Sequence, residues 1–129
     1  YSRMFDELLS QKEGATLWHC TAGKDRAGIA SILVLSALNV PENIIEADYF
    51  KVNDFLREEN EQLCRSVEDK MNNHSIHDGL MKMFIVHKAY LNRMLDTIQL
   101  HYGTMDGYLA KALGLDRDKR EELRALYLN

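Results

Sequence analysis

Cys20 and Arg26 stand six residues apart in "HCTAGKDRAG", residues 19–28, with Gly23 between them and Gly28 just after. A thiol at one end of such a loop and a guanidinium at the other are the residue types that covalent phosphoryl transfer needs. The thiolate is the attacking form of cysteine, and positive surroundings lower the thiol pKa. Arginine offers a planar fork that holds two equatorial oxygens of a phosphoryl group as the transition state flattens, a geometry lysine lacks. Capture of the group on sulfur, followed by attack of water, requires no metal, so no cofactor is expected.

Such chemistry works only if neighbouring elements hold the loop. Gly14 opens "ATLWHC", a short run of strand formers that reads as a buried strand ending at His19 or Cys20. From Ala27 to Leu38 the residues are apolar all round, as in a helix buried on most sides. Thr21, Ala22, Gly23, Lys24, Asp25 and Arg26 then form a tight loop into a helix N-terminus. There, successive N–H groups and the helix dipole suit a phosphate-sized oxyanion. Gly23 permits the turn, and Gly28 lets the helix start pack closely. Asp25 is the only carboxylate near the thiol in sequence, either the proton-transfer group or the ion-pair partner of Lys24 or Arg26. Lys24 either adds positive charge for an anionic substrate or is simply exposed. His19 is read as support, bonding backbone behind the thiolate, and Ala27 as the first residue of the buried helix.

The other elements read as helices. Residues 2–10 carry Met4, Phe5, Leu8 and Leu9 on one face behind Ser2 as cap. Pro41 suits the first turn of a helix with Ile45, Tyr49, Val52 and Leu56 on its apolar face. The charged stretch from Arg57 reads as an exposed helix unravelling near Asn72 into a polar loop, its charges a solvated face. His74 and His77 have metal-like spacing, but no third ligand completes a site, so no metal is assigned. Tyr90, Leu91, Met94, Leu95, Ile98 and Tyr102 line a helix ending at Gly103. Thr104 caps a helix through Leu113, and Asp116 caps the last, with Leu123, Leu126 and Tyr127 as its buried face.

The 129 residues suit one domain with a single core. A hydrophobic content of 46% argues against disorder, and a net charge of −4 argues against non-specific attraction to nucleic acid or anionic membrane. The longest apolar run, Ile29 to Leu38 interrupted by Ser31 and Ser36, is too short to span a bilayer. Two cysteines make no disulfide framework, and Cys64 reads as a partly buried thiol; a reducing cytoplasm is expected.

"HCTAGKDRAG" closely resembles the loop of cysteine-dependent protein tyrosine phosphatases, in particular the bacterial family whose loop reads HCTAGKDRTG. "ALNVPENIIEADY" and the C-terminal "AYLNRMLDTIQLHYGTMDGYLAKALGLDRDKREELRALYL" are similar to segments of the same family. The resemblance implies an α/β phosphatase fold, a central sheet flanked by helices, with Cys20 as nucleophile, Arg26 as phosphate binder and residues 21–26 as the cradle. Residues 1–129 are then the C-terminal part of a single phosphatase domain, mostly helical with one catalytic strand. The family's N-terminal half supplies most of the sheet, so a further N-terminal segment or a second chain is expected to complete the fold, and secretion is left open. Implied substrates are phosphorylated proteins, phosphotyrosine first and phosphoserine or phosphothreonine in dual-specificity members. The lysine of "AGKDR" adds phosphoinositides.

The alternative is a phosphate-binding module that recognises phosphorylated partners without turning them over. A sulfurtransferase or arsenate reductase fits less well, because those chemistries call for other loop lengths or a resolving cysteine, and Cys64 lies in no motif. The resemblance marks one departure. Where the family carries threonine or serine, whose hydroxyl serves the sulfur during hydrolysis of the intermediate, this chain has Ala27. A product burst followed by slow turnover is therefore expected in stopped-flow assays, with Ala27→Thr raising the steady rate. Identical burst and steady rate in that variant would count against the expectation.

Overall fold

The structure, a computed structural model, describes residues 1–11 and 13–128. Helices α1 (Ser2–Ser10), α2 (Arg26–Ala37), α3 (Glu42–Phe55) and α4 (Arg57–Met71) come first. A 3₁₀ turn at His74–Ile76 leads into α5 (His77–Phe84), then α6 (Lys88–Tyr102), α7 (Met105–Leu113) and α8 (Arg117–Tyr127).

The apolar circumference of α2 has a direct cause. Leu33 and Ala37 face one buried cluster with Phe5, Leu8, Leu109 and Leu123, while Ile32 joins a second with Ile45, Tyr49, Val86 and Leu91. The helix therefore separates two cores, packing against α3 on one side and α7 and α8 on the other. It begins at Arg26, one residue before the boundary its hydrophobic pattern indicates, because Arg26 occupies the polar first turn.

The expected strand is not there. "ATLWHC" forms neither helix nor strand, and no strand is present among the described residues. A strand exists only through ladder bonds to a partner, and no second segment is aligned with this one. The described residues are thus helical, and the expected α/β arrangement is not seen within them.

Several helix ends follow from local chemistry. The Thr104 hydroxyl accepts from the Gly107 N–H at 2.9 Å, and the Asp116 carboxylate accepts from the Lys119 N–H at 3.0 Å. Asn72 ends α4 in a left-handed conformation with φ 47°. Ser2 makes no cap, since Tyr1 occupies that position, and Pro41 sits just outside α3 rather than in its first turn.

Further corrections concern one loop and the burial of several side chains. The segment after Asn73 forms the 3₁₀ turn and α5 instead of a loop. On α4, Glu68 is buried rather than solvated, its carboxylate 2.7 Å from His77 Nδ1, and Cys64 is wholly enclosed rather than partly. Pairing with His77 compensates a carboxylate whose burial alone would be costly. On α8 only Leu123 is buried; Leu126 and Tyr127 are exposed, although the Tyr127 hydroxyl donates to the Leu8 carbonyl at 2.9 Å. No described helix is long and apolar enough to cross a membrane.

Leu33 is 1% exposed at the face where α2 meets α1, α7 and α8. Leu33→Ala is expected to lower unfolding free energy by about 2–5 kcal/mol, read from the denaturant midpoint.

Candidate active site

Residues 21–25 make a series of bends that deliver the chain into α2. Gly23 has φ +71°, a conformation side chains resist, and it turns the loop back over Cys20. The consequence is a ring of donors. The backbone N–H of Ala27, and then those of Gly23, Ala22 and Arg26, favour the Cys20 thiolate and hold its thiol below the ordinary value, with partial desolvation opposing them. The sulfur lies where the orphan N–H groups of a helix start point, the environment that favours an anion.

The rest of the loop is fastened around this ring. Arg26 Nη2 reaches across to the Thr21 hydroxyl at 3.3 Å, so the guanidinium spans the loop while remaining exposed. Lys24 turns away from solvent, donating to the Met83 carbonyl at 2.9 Å and lying 3.5 Å from the Asp25 carboxylate. Its ammonium therefore ties the loop to the end of α5. Asp25 precedes α2 without capping it and stays mostly exposed, on the side of the loop that faces Tyr49. Gly28 lies against the Tyr49 ring, where a Cβ would approach Cε2 to 3.0 Å. His19 is exposed and makes no hydrogen bond to the loop among the described residues, so the expected support behind the thiolate is not formed.

Support comes from residues the sequence pattern did not single out. Trp18 Nε1 donates to the Ser31 hydroxyl at 3.3 Å, which donates to the Ala27 carbonyl at 3.1 Å, locking the approach to Cys20 onto α2. The segment that receives Lys24 is itself held. The Asn53 amide bonds both the N–H and the carbonyl of Val86, at 2.8 and 3.0 Å, and Asn60 donates to the Phe84 carbonyl at 3.3 Å. An isolated Asn in a helix carries no signal in sequence of such a role. A cleft of about 210 Å³ adjoins the loop at Gly23 and Lys24, walled by Tyr49, Lys51 and the exposed Phe55.

The family model described as the tyrosine phosphatase family matches residues 1–129. The chain belongs to that family. A protein of Cupriavidus necator named "Putative tyrosine-protein phosphatase" is 34% identical over 131 residues, covering 99% of this chain and 45% of the relative. The "Triple specificity protein phosphatase PtpB" of Mycobacterium tuberculosis is 28% identical over 123 residues, covering 87% of this chain and 43% of the relative. A "Tyrosine-protein phosphatase" of Nostoc commune is 43% identical over 49 residues, or 38% of this chain and 17% of the relative. The chain spans less than half the length of these relatives. No cluster of three or more metal-ligating side chains occurs among the described residues.

The two cysteines differ in ways an alkylation experiment separates. Cys64 is fully enclosed, and burial, then Glu61 and Glu68, push its thiol up. The depressed Cys20 pKa means that thiolate persists as pH falls below an ordinary thiol's value of about 8.5. Iodoacetate at about two units below that value is therefore expected to modify Cys20 alone, as read by peptide mass spectrometry. Equal labelling of both thiols, or none, would contradict the site geometry.

Proposed function

We propose that this chain carries the reactive loop of a phosphoric monoester hydrolase of the protein tyrosine phosphatase type. The observation that supports this most is the convergence of four main-chain N–H groups on the Cys20 sulfur at the start of α2. The Cys20 thiolate attacks phosphorus, forming the S–P bond as the P–O bond to the leaving group breaks. Arg26, anchored across the loop to Thr21, binds two equatorial oxygens, and the N–H groups of residues 22–27 bind the others. The leaving oxygen takes a proton, water then attacks the phosphocysteine, and inorganic phosphate departs with the thiolate restored. Within this chain the proton-transfer role falls to Asp25, the exposed carboxylate of the loop, with Lys24 beside it.

An aromatic phosphate ester suits the surroundings best. The exposed Phe55 walls the adjoining cleft beside the buried Tyr49, and stacking on an exposed ring favours a phenyl ester such as phosphotyrosine. The commitment of Lys24 to Met83 and Asp25 lessens the charge free for a phosphoinositide headgroup. The binding-module reading draws on Ala27, which lacks the hydroxyl that the resemblance assigns to turnover.

Phosphate release from phosphotyrosine peptides, phosphoserine peptides and phosphoinositides distinguishes these readings. Cys20→Ser is expected to abolish release, and Arg26→Lys to lower kcat/KM by about a hundredfold or more through loss of the bidentate contact. Release that survives Cys20→Ser, or none on any substrate, would overturn the hydrolase reading; tight phosphopeptide binding without turnover would favour the binding module.

A further inference from the structure

The N–H of Ala27 contributes most to holding the Cys20 thiolate. The same peptide unit ends in the Arg26 carbonyl, and that oxygen accepts a hydrogen bond from the Tyr1 hydroxyl at 3.1 Å. Tyr1 and Cys20 thus act on opposite ends of one amide. A donor on the carbonyl polarises the amide and strengthens its N–H as a donor, by roughly 10–30% per bond in a hydrogen-bonded chain. A carbonyl has two lone pairs, so a helical carbonyl can take this second bond without leaving its helix.

We propose that Tyr1 is a positioning residue for the nucleophile, its hydroxyl fixing and polarising the Arg26–Ala27 peptide whose N–H faces the Cys20 sulfur. The proposal rests on the reading of Cys20 as the nucleophile and adds a residue outside the loop motif.

Three observations bear on it. Tyr1 is held in place, because its own carbonyl accepts from the Phe5 N–H at 3.2 Å and Phe5 is buried in the core that also holds Leu33 of α2. The registers of α1 and α2 are therefore set by the same packing. Next, the Tyr1 phenol keeps its proton: burial, then Tyr108 and Cys20, push its pKa up, against the opposing charge of Arg26. Those three side chains are the titratable or charged groups that face it, and Tyr108 is pushed up as well, by burial and then Tyr102. Finally, Ala27 carries no hydroxyl, so the donors to the sulfur are main-chain groups and their strength depends on what polarises the peptides.

Tyr1→Phe keeps the ring and removes the donor. The measurement is the pH profile of Cys20 carboxymethylation by iodoacetate in the full chain, with the melting temperature taken alongside. The midpoint is expected to move up, so that the rate below it falls about twofold while Tm is unchanged. Tyr1→Leu, which lacks ring and hydroxyl, is expected to give the same shift, and Ala27→Thr is expected to reduce it by supplying a side-chain donor. A Tyr1→Phe profile superimposable on that of the unsubstituted protein overturns the proposal. So does a shift in Tyr1→Leu alone, which would assign the effect to ring packing. The profile is read without any phosphate ester, so a failure to hydrolyse such esters would overturn the hydrolase reading without moving it.

Discussion

Main-chain N–H groups directed at one sulfur atom set the terms for the rest of this molecule. Donors of this kind act only if the peptides that carry them cannot turn away, and a loop of exposed residues has no means of its own to prevent that. The means lie in α2. Its first turn supplies the Arg26 and Ala27 N–H groups, and its body is fixed between two apolar clusters that between them draw on most of the other helices. A rotation of α2 about its axis would carry Leu33 and Ile32 out of their separate cores together. The orientation of the donors is thereby tied to the packing of the whole chain.

Around the loop, polar ties replace apolar ones. Lys24 holds the loop to the Met83 carbonyl, and Asn53 and Asn60 hold the segment that Met83 leads into. Trp18 and Ser31 close the other side, joining the approach to Cys20 to the Ala27 carbonyl. The ties to Met83, Phe84 and Val86 meet main-chain groups at and just beyond the end of α5, so there fixing the loop and meeting the backbone's own requirements are the same act. The buried Glu68, paired with His77, plays a corresponding part farther out by joining α4 to α5.

How much of this could be read from the chain depended on whether the deciding interactions were local. The caps at Thr104 and Asp116, the end of α4 near Asn72 and the all-round apolar surface of α2 are set by residues a few positions apart, and each was legible. The strand over residues 15–20 was misread because strand formers state a preference, while a ladder needs a second segment that the preference cannot supply. Leu126 and Tyr127 were misread for a related reason, since helical spacing names a face without saying how wide a neighbour will cover it. The partner of His77, Glu68, was placed in a solvated face because the pairing forms only where α5 packs on α4.

Family membership was legible in the sequence alone, and so was the proposal of Cys20 and Arg26 as a pair, because loop chemistry depends on residue type at short spacing. Tertiary structure decided which groups serve that pair. It put Lys24 on a carbonyl rather than in solvent, left His19 outside, and brought the Tyr1 hydroxyl to the Arg26 carbonyl across 25 positions of chain. The reason is physical: a hydrogen bond depends on angstrom-scale distance between groups that only the packed helices bring together.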